Sequence, residues 1–113
     1  MIKINNPKDK KIIFECLKAS VYGPFFPDWE FSILFGLERN DIENIISDWE
    51  KININNKNVQ LAINNSINNL LGYPHGISDK DWLSYISISR EELKKLFKKI
   101  KYNTDNNYFK NIM

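Results

Sequence analysis

A chain of 113 residues, 42% hydrophobic and 13% aromatic, is sized for one domain around one core, and four glycines and four prolines exclude a fibrous or linker-rich protein. The net charge of +2 is too small to name a partner, while a single cysteine and a single histidine exclude an internal disulfide, a thiolate metal cluster and most acid–base machinery. No apolar run approaches the roughly 20 residues that span a bilayer, and "MIKINNPKDKK" lacks the apolar centre of a secretion signal, which predicts a soluble, cytoplasmic protein.

The first helix is predicted in "NNPKDKKIIFECLKASVYG". Asn6 can cap it, Pro7 suits its first position, and Asp9 lies where the helix dipole favours an anion. Ile12, Ile13, Cys16, Leu17 and Val21 form its apolar stripe, and Gly23 with Pro24 ends it. The aromatic stretch "GPFFPDWEF" leads into a second, short helix starting at Pro27 or Asp28, apolar nearly all round and so expected to be buried on several sides. "ERNDIENIISDWEKI" predicts a third, with Ile42, Ile45, Ile46 and Trp49 inward. After the loop 53–58 a fourth spans about 57–71, with Val59, Ala62, Ile63, Ile67, Leu70 and Leu71 inward, Asn64, Asn65, Asn68 and Asn69 on the opposite face, and Gly72 as a left-handed terminator. A short helix around 79–85 is capped by Ser78. In the last, "SISREELKKLFKKIKY", Ser89 and Glu92 make a capping box. Strand-like alternation never exceeds about four residues. The expectation is an all-α bundle of about six helices in a single domain, with a polar tail at 103–113 that is flexible or folds back through Tyr108 and Phe109.

A shift of 51 residues lays one half on the other. Tyr22 falls on Tyr73, Asp28 on Asp79, Arg39 on Arg90, Phe31 on Trp82, and Ile42, Ile45, Ile46 and Trp49 on Leu93, Leu96, Phe97 and Ile100. The halves, about 8–50 and 59–101, then each read long helix, loop, short aromatic helix, amphipathic helix. Phe31 and Trp82 become aromatic plugs between the longer helices, with Phe25 and Trp29 less completely covered. The alternative is that any two amphipathic helices slide into register.

Catalytic chemistry finds few residues. Cys16 sits on an apolar stripe, where a free cysteine behaves as a small hydrophobe. His75 lies between Pro74 and Gly76; with Asp79 and Asp81 it offers metal donors of a kind common without a metal, and "GYPHG" has neither the spacing nor the lysine of a phosphate loop. No catalytic set, metal site or cofactor is predicted. Charge is more informative. Residues 1–50 hold six basic and nine acidic side chains, residues 51–113 ten and five. Asp28, Glu30, Glu38, Asp41, Glu43, Asp48 and Glu50 fall in a stretch without lysine between Lys18 and Lys51, where Arg39 is the lone cation. With Phe25 and Trp29 as anchors, such a face can steer and hold a basic protein; its bland counterpart is a solvated helix surface. Lys94, Lys95, Lys98, Lys99 and Lys101 on the last helix offer a second surface suited to phosphates, although lysine outnumbers arginine fourteen to two throughout the chain.

"GPFFPDWEFSILFGLERNDI" and "AINNSINNLLGYPHG" resemble stretches of small bacterial immunity proteins of contact-dependent inhibition and other polymorphic toxin systems. The resemblance spans about residues 20–90 and carries no residue-by-residue binding motif. It implies a non-enzymatic protein that binds and blocks a cognate toxin domain, nucleases with basic clefts being a frequent class. The expected partner surface is therefore Phe25, Asp28, Trp29, Glu30, Asp41, Glu43, Asp48 and Glu50, taken from the charge pattern. The alternative function is a small nucleic-acid-binding or regulatory module using the lysine-rich helix 90–101.

Overall fold

Caps legible in the sequence set most helix boundaries. Asn6 Oδ1 accepts from Asp9 N–H at 2.8 Å, and Pro7 opens α1 (Pro7–Tyr22). α2 (Asp28–Phe35) ends on Gly36, whose φ of 67° is left-handed. α3 (Arg39–Ser47) begins with a reciprocal box in which Asp41 Oδ2 accepts from Glu38 N–H at 3.0 Å. A 3₁₀ turn (Trp49–Lys51) follows. Asn56 caps α4 (Lys57–Gly72), Ser78 caps α5 (Asp79–Trp82), and Ser89 with Glu92 boxes the start of α6 (Arg90–Ile112). The structure, a computed structural model, describes residues 2–112, with side chains through Lys101. Among the described residues there is no strand, and the chain forms an all-α single-domain bundle of six helices. The backbone of the tail continues α6 to Ile112, while the expectation that Tyr108 and Phe109 fold back concerns side chains outside the described residues.

α1 and α4 make the most extensive helix contact and form the centre, with α3 against α1, and α2 and α6 against α4. Phe31 and Trp82 are 1% exposed, as the plug reading expects, and so is Phe25. Losing one such ring costs about 3–5 kcal/mol. The N-terminal segment is tied down by Gln60, whose Oε1 accepts from Ile2 N–H at 2.7 Å and whose Nε2 donates to Ile2 O at 3.0 Å.

Equivalent contacts recur in the two halves. Arg39 Nη2 lies 3.0 Å from Asp28 Oδ1 and donates to Phe26 O at 2.9 Å, and its guanidinium sits 4.3 Å from the Phe31 ring centre. Fifty-one residues on, Arg90 Nε lies 3.2 Å from Asp79 Oδ1, Nη2 donates to Ile77 O, and the guanidinium sits 4.7 Å from the Trp82 ring. Contacts across the halves are exchanged too. Asn65 of α4 donates to Phe35 O at 2.8 Å, while Glu15 of α1, fifty residues earlier, accepts from Ser87 N–H at 2.9 Å. The offset between the long helices is 50, not the 51 that sequence matching suggested. Buried Asp9, Ile12, Ile13, Cys16, Leu17 and Ser20 of α1 answer to buried Val59, Ala62, Ile63, Ser66, Ile67 and Leu70 of α4. Tyr22 therefore corresponds to Gly72 rather than Tyr73.

Several expectations change on packing grounds. Gly72 is the last residue of α4 and is not left-handed; the positive φ belongs to Gly76, at 72°. α2 buries only Phe31 and Phe35, because two turns of helix lie on the bundle with one face and leave the other outside. Trp49 is buried beyond the end of α3, stacked on Phe14 with ring centres 5.7 Å apart. Asn65 and Asn69 are not a solvated face: they donate to Phe35 O and Leu34 O, so α4 satisfies orphan carbonyls at the end of α2.

Candidate functional site

Three of the exposed large apolar side chains lie on α2 and beside it, and two, Leu83 and Tyr85, follow α5 in the other half. Trp29 is 74% exposed, Ile33 80% and Tyr22 64%. Trp29 and Ile33 are four residues apart, which puts them on one outward stripe of α2. The segment is held firmly from below. Arg39 donates to Val21 O at the end of α1 and to Phe26 O in the loop, pairs with Asp28 at the start of α2, and covers the Phe31 ring. One side chain thereby fixes where α1 ends, how the loop turns and where α2 starts.

The carboxylates are brought together only in part. Asp28 is exposed and paired with Arg39. Glu30 is half-buried and accepts from the Tyr73 hydroxyl; that bond, then burial, raises the Tyr73 phenol above its usual range. Glu43 accepts from Tyr22 Oη at 3.4 Å, and the Tyr22 phenol is likewise raised, by desolvation first and by the Glu43 charge next. Asp41 is exposed at the N-terminus of α3. Asp28, Glu30 and Glu43 lie about the junction of α1, α2 and α3 where Trp29 and Tyr22 emerge, while Asp41, two residues from Glu43, lies on another face of α3. Asp48 and Glu50 stand apart, past the C-terminal end of α3, roughly 14 Å along its nine residues. Asp41 and Asp48 border one groove with Lys51, Asn53 and Asn56, and Glu50 borders another with Lys10 and Lys11. The single acidic face expected from the sequence is therefore a compact patch of Asp28, Glu30 and Glu43 plus three outliers, Asp41, Asp48 and Glu50.

Phe25 leaves the surface altogether. Its ring makes edge contacts with His75 at 4.9 Å, Tyr85 at 5.4 Å and Trp82 at 5.8 Å, so it joins the halves internally and cannot anchor a partner. Ile33 takes the second exposed position, and sequence reading missed it because a short apolar helix gives too few turns to reveal a two-sided pattern.

Residues weighed for catalysis are occupied elsewhere. Cys16 is fully buried, and burial, helped by the neighbouring Glu15 charge, pushes its thiol far up, away from the reactive thiolate. His75 Nδ1 accepts from Ile77 N–H at 3.1 Å, and Nε2 lies 2.9 Å from Leu70 O, so Nε2 carries the proton and both nitrogens are used within one turn. Asp79, considered with His75 and Asp81 as a donor, is paired with Arg90. Among the described residues no group of three His, Cys, Asp or Glu side chains could hold a metal ion, and no helix is long and apolar enough to cross a membrane.

The basic surface lies along α6. Lys94, Lys95, Lys98 and Lys99 are exposed, but Lys99 pairs with Asp9 at 2.5 Å, Lys94 lies 3.4 Å from Glu91, and Lys101 covers the Phe97 ring at 4.4 Å. No family model, curated protein or solved structure matches this chain.

Proposed function

We propose that this chain is a non-catalytic, cytoplasmic inhibitor that binds a basic protein partner through the patch at the α1–α2–α3 junction. The observation that carries the reading is the coincidence of exposed Trp29 with Asp28, Glu30 and Glu43, in a segment whose lone cation, Arg39, is already paired. Dispersed carboxylates steer a cationic partner and an aromatic side chain holds it, a division that favours fast association and slow release. The sequence resemblance to immunity proteins makes a toxin domain the proposed class of partner, and a nuclease with a phosphate-binding cleft fits the charge. Capture from the native cell should return a basic protein, and reversing Glu30 and Glu43 to lysine should slow its association and abolish protection against it. Full protection by the double variant would refute the surface.

A second reading rests on the exposed Lys94, Lys95 and Lys98 of α6, with Lys8 and Lys99 bordering the same side. It makes the chain a nucleic-acid-binding module. Steeply salt-dependent shifts of generic DNA or RNA that vanish on changing the three lysines to glutamate would establish it in place of the first.

A further inference from the structure

The two halves provide an internal control for what the fold needs. Where the architecture makes a demand, both halves answer alike: Asp28 and Asp79 pair with Arg39 and Arg90, Phe31 and Trp82 lie beneath those guanidiniums, and Phe35 and Ile86 are fully buried. Trp29 and Ile33 answer, at the same offset of 51, to Lys80 and Ser84, and all four are exposed, while the second half's own exposed apolar side chains, Leu83 and Tyr85, fall on Ser32 and Leu34. Packing therefore accepts a lysine and a serine at these positions. A tryptophan and an isoleucine there serve no need of the bundle, and leaving both in water forgoes the gain that burying them would bring.

From this asymmetry we infer that Trp29 and Ile33 are the apolar anchor of the interface, and that their occupant is a protein surface with an apolar seat bordered by lysine or arginine. The inference rests on the basic-partner reading above and adds which side chains carry the affinity. Charge selects the occupant. Asp28 and Glu30 flank Trp29 in sequence, Glu43 lies against Tyr22, and the lysine-free run excludes the positive rim that a nucleic acid or an acidic protein would require. Tryptophan held on a short, clamped helix loses little freedom on docking, which suits it to this use.

The test exchanges the anchor for the residues of the other half, Trp29→Lys with Ile33→Ser. Because Lys80 and Ser84 already occupy equivalent positions, the variant should keep its far-ultraviolet dichroism and thermal midpoint. The probe is a synthetic amphipathic helical peptide with a leucine stripe between lysines, and its control carries glutamates instead. Trp49 and Trp82 are buried, so acrylamide quenching of the native protein reports mainly on Trp29. The lysine peptide should shield Trp29, the glutamate peptide should not, and the double exchange should weaken lysine-peptide binding by about 30-fold or more, read by anisotropy of a labelled peptide. Equal binding by native and exchanged proteins would overturn the anchor. If the Glu30, Glu43 reversal then still abolished binding, the basic-partner reading would survive without it. Binding unaffected by either variant would remove both. Shielding that grows with protein concentration alone would assign the surface to a second copy of this chain, and shielding by an oligonucleotide would assign it to nucleic acid; either result overturns the inference.

Discussion

Replacing Arg39 with alanine tests how much of the architecture hangs on one side chain. Two charge-assisted hydrogen bonds, to Val21 O and Phe26 O, would be lost at about 1.5 kcal/mol each in a half-buried setting. The stack over Phe31 adds about 1 kcal/mol. The pair with Asp28, whose side chain is 94% exposed, adds no more than about 0.5 kcal/mol. Against these stands Arg39 Nε, buried without a partner, whose removal returns about 1–1.5 kcal/mol. The net loss is about 3 kcal/mol, a sizeable share of the 5–15 kcal/mol typical of a domain. Urea denaturation should show it at unchanged m, with the thermal midpoint lower by about 12 °C. Arg90→Ala should cost a similar amount: it gives up one carbonyl contact instead of two, but its Nε is paired with Asp79. Arg39→Lys should recover less than half of the loss, because an ammonium cannot both span two carbonyls and lie flat on a ring. A cost below about 1 kcal/mol for either alanine variant would show that the clamps are surface decoration and that the recurrence between halves has no energetic meaning.

Other expectations separate readings of the same residues. Gly72→Ala should stabilise by about 0.5 kcal/mol, since the position is helical and a Cβ there meets nothing within 4 Å; the left-handed terminator expected from sequence would make it destabilising, and a calorimetric midpoint decides. Gly23→Ala should destabilise, its Cβ falling 2.6 Å from Ala19 O, a backbone atom that cannot step aside. Ser66→Ala should stabilise by about 1 kcal/mol, because the buried hydroxyl has no partner. Tyr73 should ionise later than free tyrosine in an ultraviolet titration, since its hydrogen bond to Glu30 favours the neutral phenol. The folded-state value is raised, so its contribution to stability is complete below pH about 10 and fades as pH climbs through the higher folded value. Tyr73→Phe should remove that part of the alkaline loss.

Local signals made most of the bundle legible. Asn6, Ser78 and the Ser89–Glu92 box mark helix starts through hydrogen bonds made within three residues, and such bonds depend on nothing distant. Inward stripes on α1, α4 and α6 follow from helical period over three turns or more. Short or interrupted elements were harder. α2 has two turns, so its outward Trp29 and Ile33 could not be told from its inward Phe31 and Phe35 by periodicity. Phe25 and Trp29 look alike in "GPFFPDWEF", and only packing of the loop against the other half buries one and exposes the other. The acidic run reads as one face along a line of sequence, but the end of α3 and the 3₁₀ turn carry Asp48 and Glu50 away from Glu30 and Glu43.

The change of offset from 50 to 51 explains the lone histidine. Loop 23–27, "GPFFP", has five residues and loop 73–78, "YPHGIS", has six. Pro24 answers to Pro74 and Phe25 to His75 at the first offset, Phe26 to Ile77 at the second, which leaves Gly76 as the extra residue. Its φ of 72° is the conformation that lets a chain absorb one residue in a tight turn. His75 bridges that turn from the inside, accepting from Ile77 N–H and donating to Leu70 O, which a phenylalanine could not do. Ile77 O in turn receives Arg90, so the register of the whole second clamp passes through this imidazole. Phe25 and His75, equivalent at the first offset, also touch each other. His75→Phe should therefore keep the aromatic contact with Phe25 while losing both polar bonds, at a cost of about 1–2 kcal/mol. His75→Phe with Gly76 deleted would shorten the loop to the length of its counterpart and should regain part of that loss in a denaturant titration. If the deletion instead made folding worse than the single change, the extra residue would be an integral part of the second half, and the equivalence of the two loops would be wrong.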